Sequence, residues 1–214
     1  MDLDNTANAN EQIKTLVETL GADFFGIADL TSVQEAILYQ GRTHTDICAD
    51  VLNPITTLPS AISIGVILSH AIVDQLPYRA EPAVSMNYNH HGYTLVNQRL
   101  DHVAARVSSA LQRAGYRTYP VPASQTVDTK RLRGIFSHKM AARMAGLGWI
   151  GKSCLLVTPE VGPRVRWATV LTDAPLTATG SPMEERCGTC QQCVEICPAQ
   201  AFTGQPFRPE DPRE

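Results

Sequence analysis

MAARMAGLGWIGKSCLLVTPEVGPRVRWATVLTDAPL, residues Met140 to Leu176, contains the succession that sets the architecture of this chain: a helix, a glycine-rich turn and two β-prone runs. Ser137 is placed to cap a short helix reaching Ala145, with Met140 and Met144 on one face. Gly146 and Gly148 then suit a helix stop and a tight turn into a strand. Cys154–Thr158 and Val165–Thr172 are rich in β-formers, and the intervening PEVGP predicts an antiparallel hairpin, with Cys154 opening its first strand as a buried packing thiol. Arg164 and Arg166 alternate with Val165 and Trp167, so both arginines share a strand face that is either solvated or in contact with an anion.

GLGWIGKS, Gly146–Ser153, formally satisfies both G-x-x-x-x-G-K-S and G-x-G-x-x-G. A phosphate loop needs a strand before it and a helix after it, so that backbone N–H groups and the helix N-terminus face the anion. Here the order is reversed, with helix-like SHKMAARMA before and β-prone CLLVT after, and the nucleotide-binding reading fails on context. Two readings stay open: a structural turn, or a loop whose glycines let backbone approach a large ligand closely. In the second, Gly146, Gly148, Trp149, Gly151, Lys152 and Ser153 are the candidate cofactor-binding residues.

Upstream, Asn10 is expected to cap a helix over Glu11–Leu20 that Gly21 ends, followed by a strand at Phe24–Ala28 and a helix at Val33–Tyr39. Residues 41–60 read as an irregular connection, and 61–69 (AISIGVILS) as a central strand. From His91 to Ala114 apolar residues recur every three or four positions, which predicts the longest helix, closed by Gly115. The adjacent His90 and His91 face different ways on regular structure, which disfavours a shared metal. Tyr116–Tyr119 reads as a strand entering the Pro120 and Pro122 turn, and the charged VDTKRLRG that follows as exposed.

The chain has 214 residues, 43% hydrophobic and 18% charged, which excludes disorder and permits a real core. A net charge of -3 provides no basic field for phosphates, so nucleic acid is not an expected partner of this chain alone. The longest apolar run, Ala61–Leu68, falls far short of the roughly 20 residues needed to span a bilayer. MDLDNTANAN lacks the basic flank and apolar stretch of a secretory signal, so the expected location is the cytoplasm, with no membrane partner.

Four of the six cysteines fall within eleven residues, in CGTCQQCVEICP. Cys187, Cys190, Cys193 and Cys197 spell C-x2-C-x2-C-x3-C-P, the ferredoxin run in which successive thiolates converge on an iron–sulfur cube and the fourth usually serves a second cube. Zinc is the rival, although structural zinc sites usually separate two C-x2-C knuckles; a disulfide is disfavoured by a reducing compartment. The expected cofactor is one or two 4Fe-4S clusters. Two cubes need about eight thiolates, whereas Cys48 and Cys154 bring the total only to six. PFRPEDPRE is a polar tail, and the expectation is a C-terminus truncated before the remaining ligands.

The stretch from Met140 to Leu176, with AGLGWIGK and the LTD at 171–173, followed by CGTCQQCVEICPAQAF, resembles the epoxyqueuosine reductase family and its shorter relatives with a 4Fe-4S double-cluster domain. Residues 88–204 carry the likeness. It implies an α+β fold, a nitroreductase-like mixed sheet flanked by helices at 1–182, followed by a ferredoxin-like iron–sulfur segment at 183–214. It also implies cobalamin as the acceptor of the cluster's electrons, as in the related reductive dehalogenases. The family's proton donor is an aspartate in a V-D-S or V-D-T segment; Asp128 in VDT is the matching residue, several positions further from its strand. The function expected is an iron–sulfur oxidoreductase fed by a donor such as ferredoxin or flavodoxin and acting on a small molecule or modified nucleoside. An electron-transfer protein without its own substrate, or a zinc-stabilised binding module, is the alternative.

Overall fold

The computed structural model describes residues 6–34, 55–127 and 134–208. Four strands form its main sheet: β1 (Phe24–Asp29), β2 (Ser60–Ile67), β3 (Thr118–Val121) and β6 (Val165–Thr172), in the order β1-β2-β6-β3. A separate pair, β4 (Trp149–Ile150) and β5 (Leu156–Val157), follows the helix α5 (His138–Met144).

The α+β expectation holds, but the sheet is not mixed, because every pairing between its described strands is antiparallel. The reason is the place taken by β6. β2 and β3 are each antiparallel to β6 and therefore run the same way, joined through the helix α4 (Val96–Arg113). Inserting β6 between them replaces the parallel contact that such a crossover otherwise makes. The expected hairpin is corrected for the same reason: the partner of β5 is β4, through Trp149↔Val157 and Ile150↔Leu156, whereas β6 pairs with β2 and β3.

Alternation along β2 separates the two faces. Ile62, Ile64 and Val66 join Ala168 and Val170 of β6 beneath α4 and α1 (Thr6–Thr19), which contribute Leu100, Val103, Val107, Leu111, Ile13 and Val17. Each large apolar side chain buried here contributes about 1.5–3 kcal/mol by leaving water. The opposite face of β2 presents the small Ala61, Ser63 and Gly65. Ala141, Ala142 and Ala145 of α5 and its C-terminal turn pack on this side, and a β-carbon on Gly26 would lie 2.9 Å from that of Ala145.

The helices differ in detail from their expected limits. Asn10 lies inside α1 rather than capping it, while Gly21 ends the helix in the expected left-handed conformation with φ +90°. The long helix begins earlier than His91: Pro82 occupies the first turn of α3 (Pro82–Asn89), and a π-helical turn at His90–Leu95 leads into α4. A short α2 (His70–Val73) precedes them. His91 Nε2 accepts a 2.9 Å bond from the Ser69 N–H, which assigns it a structural contact. Ser137 caps α5 as expected, accepting from the Met140 N–H at 3.3 Å. Pro120 lies within β3, on the sheet edge where a missing N–H is tolerated.

The helix expected at Val33–Tyr39 lies largely outside the described residues. No helix among the described residues is long and apolar enough to cross a membrane. Beyond β6 the described chain has one short helix, α6 (Gln192–Glu195), and the ferredoxin-like arrangement stays an expectation.

Gly65 gives a direct test of the packing. A β-carbon there would lie 2.7 Å from the Trp167 ring and 3.0 Å from the Phe24 β-carbon. Gly65→Val is expected to destabilise the protein by about 1–3 kcal/mol, the usual cost of overpacking, seen as a lower urea midpoint with an unchanged slope.

Candidate functional site

After β6 the chain turns back across the sheet edge, and its anchors bring the cysteine run to the glycine loop. Asp173, the aspartate of LTD, accepts from the Arg117 backbone N–H at 2.8 Å and from Arg117 Nε at 2.7 Å, closing β6 onto the start of β3. Asn10 Nδ2 donates to the Thr177 carbonyl at 2.8 Å. Thr179 then lies along β1: its N–H donates to the Ile27 carbonyl at 3.0 Å, and its hydroxyl accepts from the Ile27 N–H at 2.9 Å. At the next residue backbone meets backbone. A β-carbon on Gly180 would lie 2.5 Å from the Ala145 carbonyl oxygen, and one on Gly146 would lie 3.1 Å from the Ser181 carbonyl oxygen.

The loop Gly146–Ser153 is preceded by α5 and enters a strand, the order that excludes the phosphate-loop geometry. Its glycines are covered by the protein itself. Gly146 has φ +76°, and a β-carbon on Gly148 would overlap the Val157 carbonyl of the facing strand. One on Gly151 would lie 3.0 Å from a Val157 methyl and 3.3 Å from Cys187 Sγ. Lys152 is only 7% exposed, and its ammonium donates to the Gly188 carbonyl at 2.7 Å and the Cys190 carbonyl at 3.1 Å. Trp149 is half-buried beneath the Arg186 guanidinium, 5.7 Å from its ring centre, and its buried indole N–H makes no hydrogen bond of ordinary geometry. Ser153 sits half-buried in a turn closed by the Cys154 N–H and Gly151 carbonyl at 2.8 Å.

The loop thus touches the first part of the cysteine run. Cys187 and Cys190 are joined by a turn, the Cys190 N–H donating to the Cys187 carbonyl at 3.0 Å, and Gly188 supports it with φ +52°. Cys193 lies in α6 and Cys197 just beyond it. All four are free thiols. Burial and the Glu185 carboxylate push the Cys187 thiol above its ordinary value, against the Lys152 backbone N–H and the Trp149 indole N–H, which favour the thiolate. Among the described residues no three or more His, Cys, Asp or Glu side chains are gathered round a point that could hold a metal ion. The donor set nevertheless fits a thiophilic group: closely spaced free thiols beside a loop whose Trp149 indole N–H is buried without a hydrogen-bond partner.

Cys154 departs from expectation. It is exposed, with φ +58° in the turn before β5, because the strand starts only at Leu156. With Gly151, Lys152 and residues 201–203 and 205–208 it lines a cavity of about 150 Å³. That is smaller than the roughly 300–1,000 Å³ of typical cofactor pockets. The C-terminal stretch is less detached than its polarity suggests, since Phe207 packs against the cluster containing Trp167 and lies 5.6 Å beneath Arg143. Asp128 and Cys48 lie outside the described residues. Arg164 is paired with Asp74 at 2.8 Å, and Arg166 donates to Asn97 Oδ1 at 2.7 Å over the Tyr93 ring. Gly180, Glu185 and Arg186 escaped the sequence reading; only the short distance in sequence to Cys187 marked the last two.

An antiparallel sheet between helices, with a thiol-rich segment folded back on a glycine loop, defines the architectural class. No family model matches the chain. It is similar to the epoxyqueuosine reductase of Bacillus cereus, at 26% identity over 212 residues, covering 90% of this chain and 53% of that protein. In structure it is similar to an epoxyqueuosine reductase crystallised with an epoxyqueuosine-modified tRNA-Tyr stem loop, with TM-score 0.56 and 18% identity over 94% of this chain and 55% of that one. A reductive dehalogenase whose structure suggests a mechanism for B12-dependent dehalogenation matches with TM-score 0.65 and 21% identity, over 94% of this chain and 26% of that one. The resemblance to these proteins read from the motifs is borne out. The chain spans about half the length of the Bacillus cereus relative.

His138 opens α5 on the small-residue side of the sheet. Its Nε2–H donates to the Pro122 carbonyl at 3.0 Å, so Nδ1 accepts from the Thr169 hydroxyl at 2.8 Å in the neutral ring. Burial lowers its pKa, with Arg166 acting in the same direction and the Pro122 carbonyl and Asp101 opposing. The unfolded chain therefore takes up the proton first. Stability is expected to be full above pH about 6.5 and to fall below it by at most about 1.4 kcal/mol per unit. Comparing urea midpoints from pH 5 to 8 checks this, and His138→Gln is expected to flatten the slope.

Proposed function

We propose that this chain is an iron–sulfur reductase in which Cys187, Cys190 and Cys193 hold one 4Fe-4S cube and Cys197 takes the run's usual place on a second. The observation that carries the proposal is the docking of Cys187 against the glycine loop, where Gly151 leaves room for its sulfur and Lys152 ties down the turn that carries it. When bound, the cube supplies one-electron transfer. The chain's own residues hold the thiolates at the domain surface, with residues 1–182 as the platform and 183–214 as the cluster segment.

We infer further that a corrinoid is the acceptor, Asp128 the proton donor and a modified nucleoside the substrate; the B12-dependent dehalogenase and the RNA-bound relative support the first and the last. The named substrate context belongs to the RNA-bound relative. The glycine loop does not suit the corrin, because its backbone is covered by Val157, Gly180, Ser181 and Cys187. Its proposed role is support of the cysteine segment. A ferredoxin or flavodoxin is the proposed donor.

Anaerobically reconstituted protein is expected to bind iron and acid-labile sulfide in equal amounts, about four of each per cube. Cys187→Ser, Cys190→Ser and Cys193→Ser should each abolish the first cube, whereas Cys197→Ser should spare it. Stoichiometric zinc without sulfide would overturn the assignment. Adding cob(II)alamin to the cluster-loaded protein should alter the cobalt paramagnetic resonance signal; an unchanged signal would favour an electron carrier.

A further inference from the structure

The GLGWIGK loop contributes more than room for a sulfur. Within a few residues it places two positive or partly positive groups beside the first cysteine turn. The Lys152 ammonium, buried to 7% exposure, is held by the carbonyls of Gly188 and Cys190. The indole N–H of Trp149, in the same loop, is buried without a hydrogen-bond partner. Gly151, between them in sequence, permits the approach: a β-carbon there would lie 3.3 Å from Cys187 Sγ.

A buried ammonium carries a large desolvation cost unless it is well paired, and two carbonyl oxygens compensate it only in part. Burying an indole N–H without an acceptor costs about 1–3 kcal/mol. Both costs fall if the neighbouring sulfur is a thiolate on an anionic cluster, since N–H···S bonds and a nearby cation then gain a strong acceptor and an opposite charge. The same contacts have a redox consequence. Reduction adds a negative charge to the cluster, and donors and cations near its sulfurs stabilise the reduced form more than the oxidised one.

We propose that Trp149 and Lys152 set the reduction potential of the cluster ligated through Cys187, holding it higher than the bare cysteine segment would. This rests on the iron–sulfur reading above. Trp149 and Lys152 are positioning residues, acting through Cys187 and its turn rather than as ligands.

The test uses the full chain, reconstituted with iron and sulfide, as wild type, Trp149→Phe and Lys152→Met. Phenylalanine keeps an aromatic ring against Arg186 while removing the N–H along with the smaller ring of the indole; methionine keeps most of the apolar stem. Redox titration is followed by electron paramagnetic resonance, with iron and sulfide measured on the same samples. Each variant is expected to retain its cluster but to show a reduced-to-oxidised ratio about tenfold lower at a fixed ambient potential, a shift of about 59 mV for one electron. Lys152→Arg should restore most of the loss in the lysine position.

Wild-type protein that takes up neither iron nor sulfide would overturn the iron–sulfur reading and this inference with it. Clusters present in all variants with unchanged potentials would overturn the inference alone. If Lys152→Met loses its cluster while its circular dichroism is native, Lys152 holds the turn rather than tuning the potential. Trp149→Phe then decides the matter by itself, since it leaves the lysine bonds in place.

Discussion

Close backbone approach is the constraint on which the site depends. Gly146 and Gly180 cross where α5 ends, at a separation that leaves no space for a β-carbon on Gly180 and only a tight 3.1 Å for one on Gly146. Gly148 is pressed equally hard against the Val157 carbonyl, so the β4–β5 pair can form immediately after the helix. An alanine at these positions meets backbone, which cannot rotate away as a side chain can. This crossing holds the segment after β6 beneath the glycine loop and fixes where the cysteine run begins.

Sheet alternation supplies the platform for that crossing. Large residues of β2 and β6 on one side are covered by α1 and α4, while Ala61, Ser63 and Gly65 on the other side allow the alanine-rich α5 to settle close to the strands. A helix held near the sheet also holds its own C-terminal turn there, and that turn is the glycine loop. The Thr179 contacts along β1 and the Arg117–Asp173 pair then anchor both ends of the returning chain. The surface ion pair adds little stability by itself, since Arg117 is 67% exposed. Its geometry still limits where the chain after β6 can go.

At the cysteine run the electrostatics are uneven. Cys187 donates its N–H to the Glu185 carboxylate and packs beside Gly151, whereas Cys190 is exposed and held through its carbonyl and amide. The asymmetry follows from position: Cys187 is the first residue of the run to reach the loop, with its sulfur beside Gly151. A ligand group bound here would therefore meet the protein's dipoles mainly at one corner.

Much of this was legible in the sequence because local rules carried it. The period of α4, the Ser137 cap, the left-handed Gly21 and the reversed order around GLGWIGKS each depend on a few neighbouring residues, and the cysteine spacing names its chemistry without any fold. Strand partners were not legible. The β-prone runs flanking PEVGP do not pair with each other, because β6 finds its partners in β2 and β3, whose choice rests on contacts far apart in sequence. Nor did residue types reveal that GLGWIGKS faces Cys187, since glycine signals closeness but not what comes close. The sequence by itself determined the donor set and the elements; only tertiary structure decided which backbone fills the space the glycines leave, because beside Gly146 and Gly151 it is occupied in part by chain 30 to 40 residues away, as the 36-residue separation of Lys152 from Gly188 illustrates.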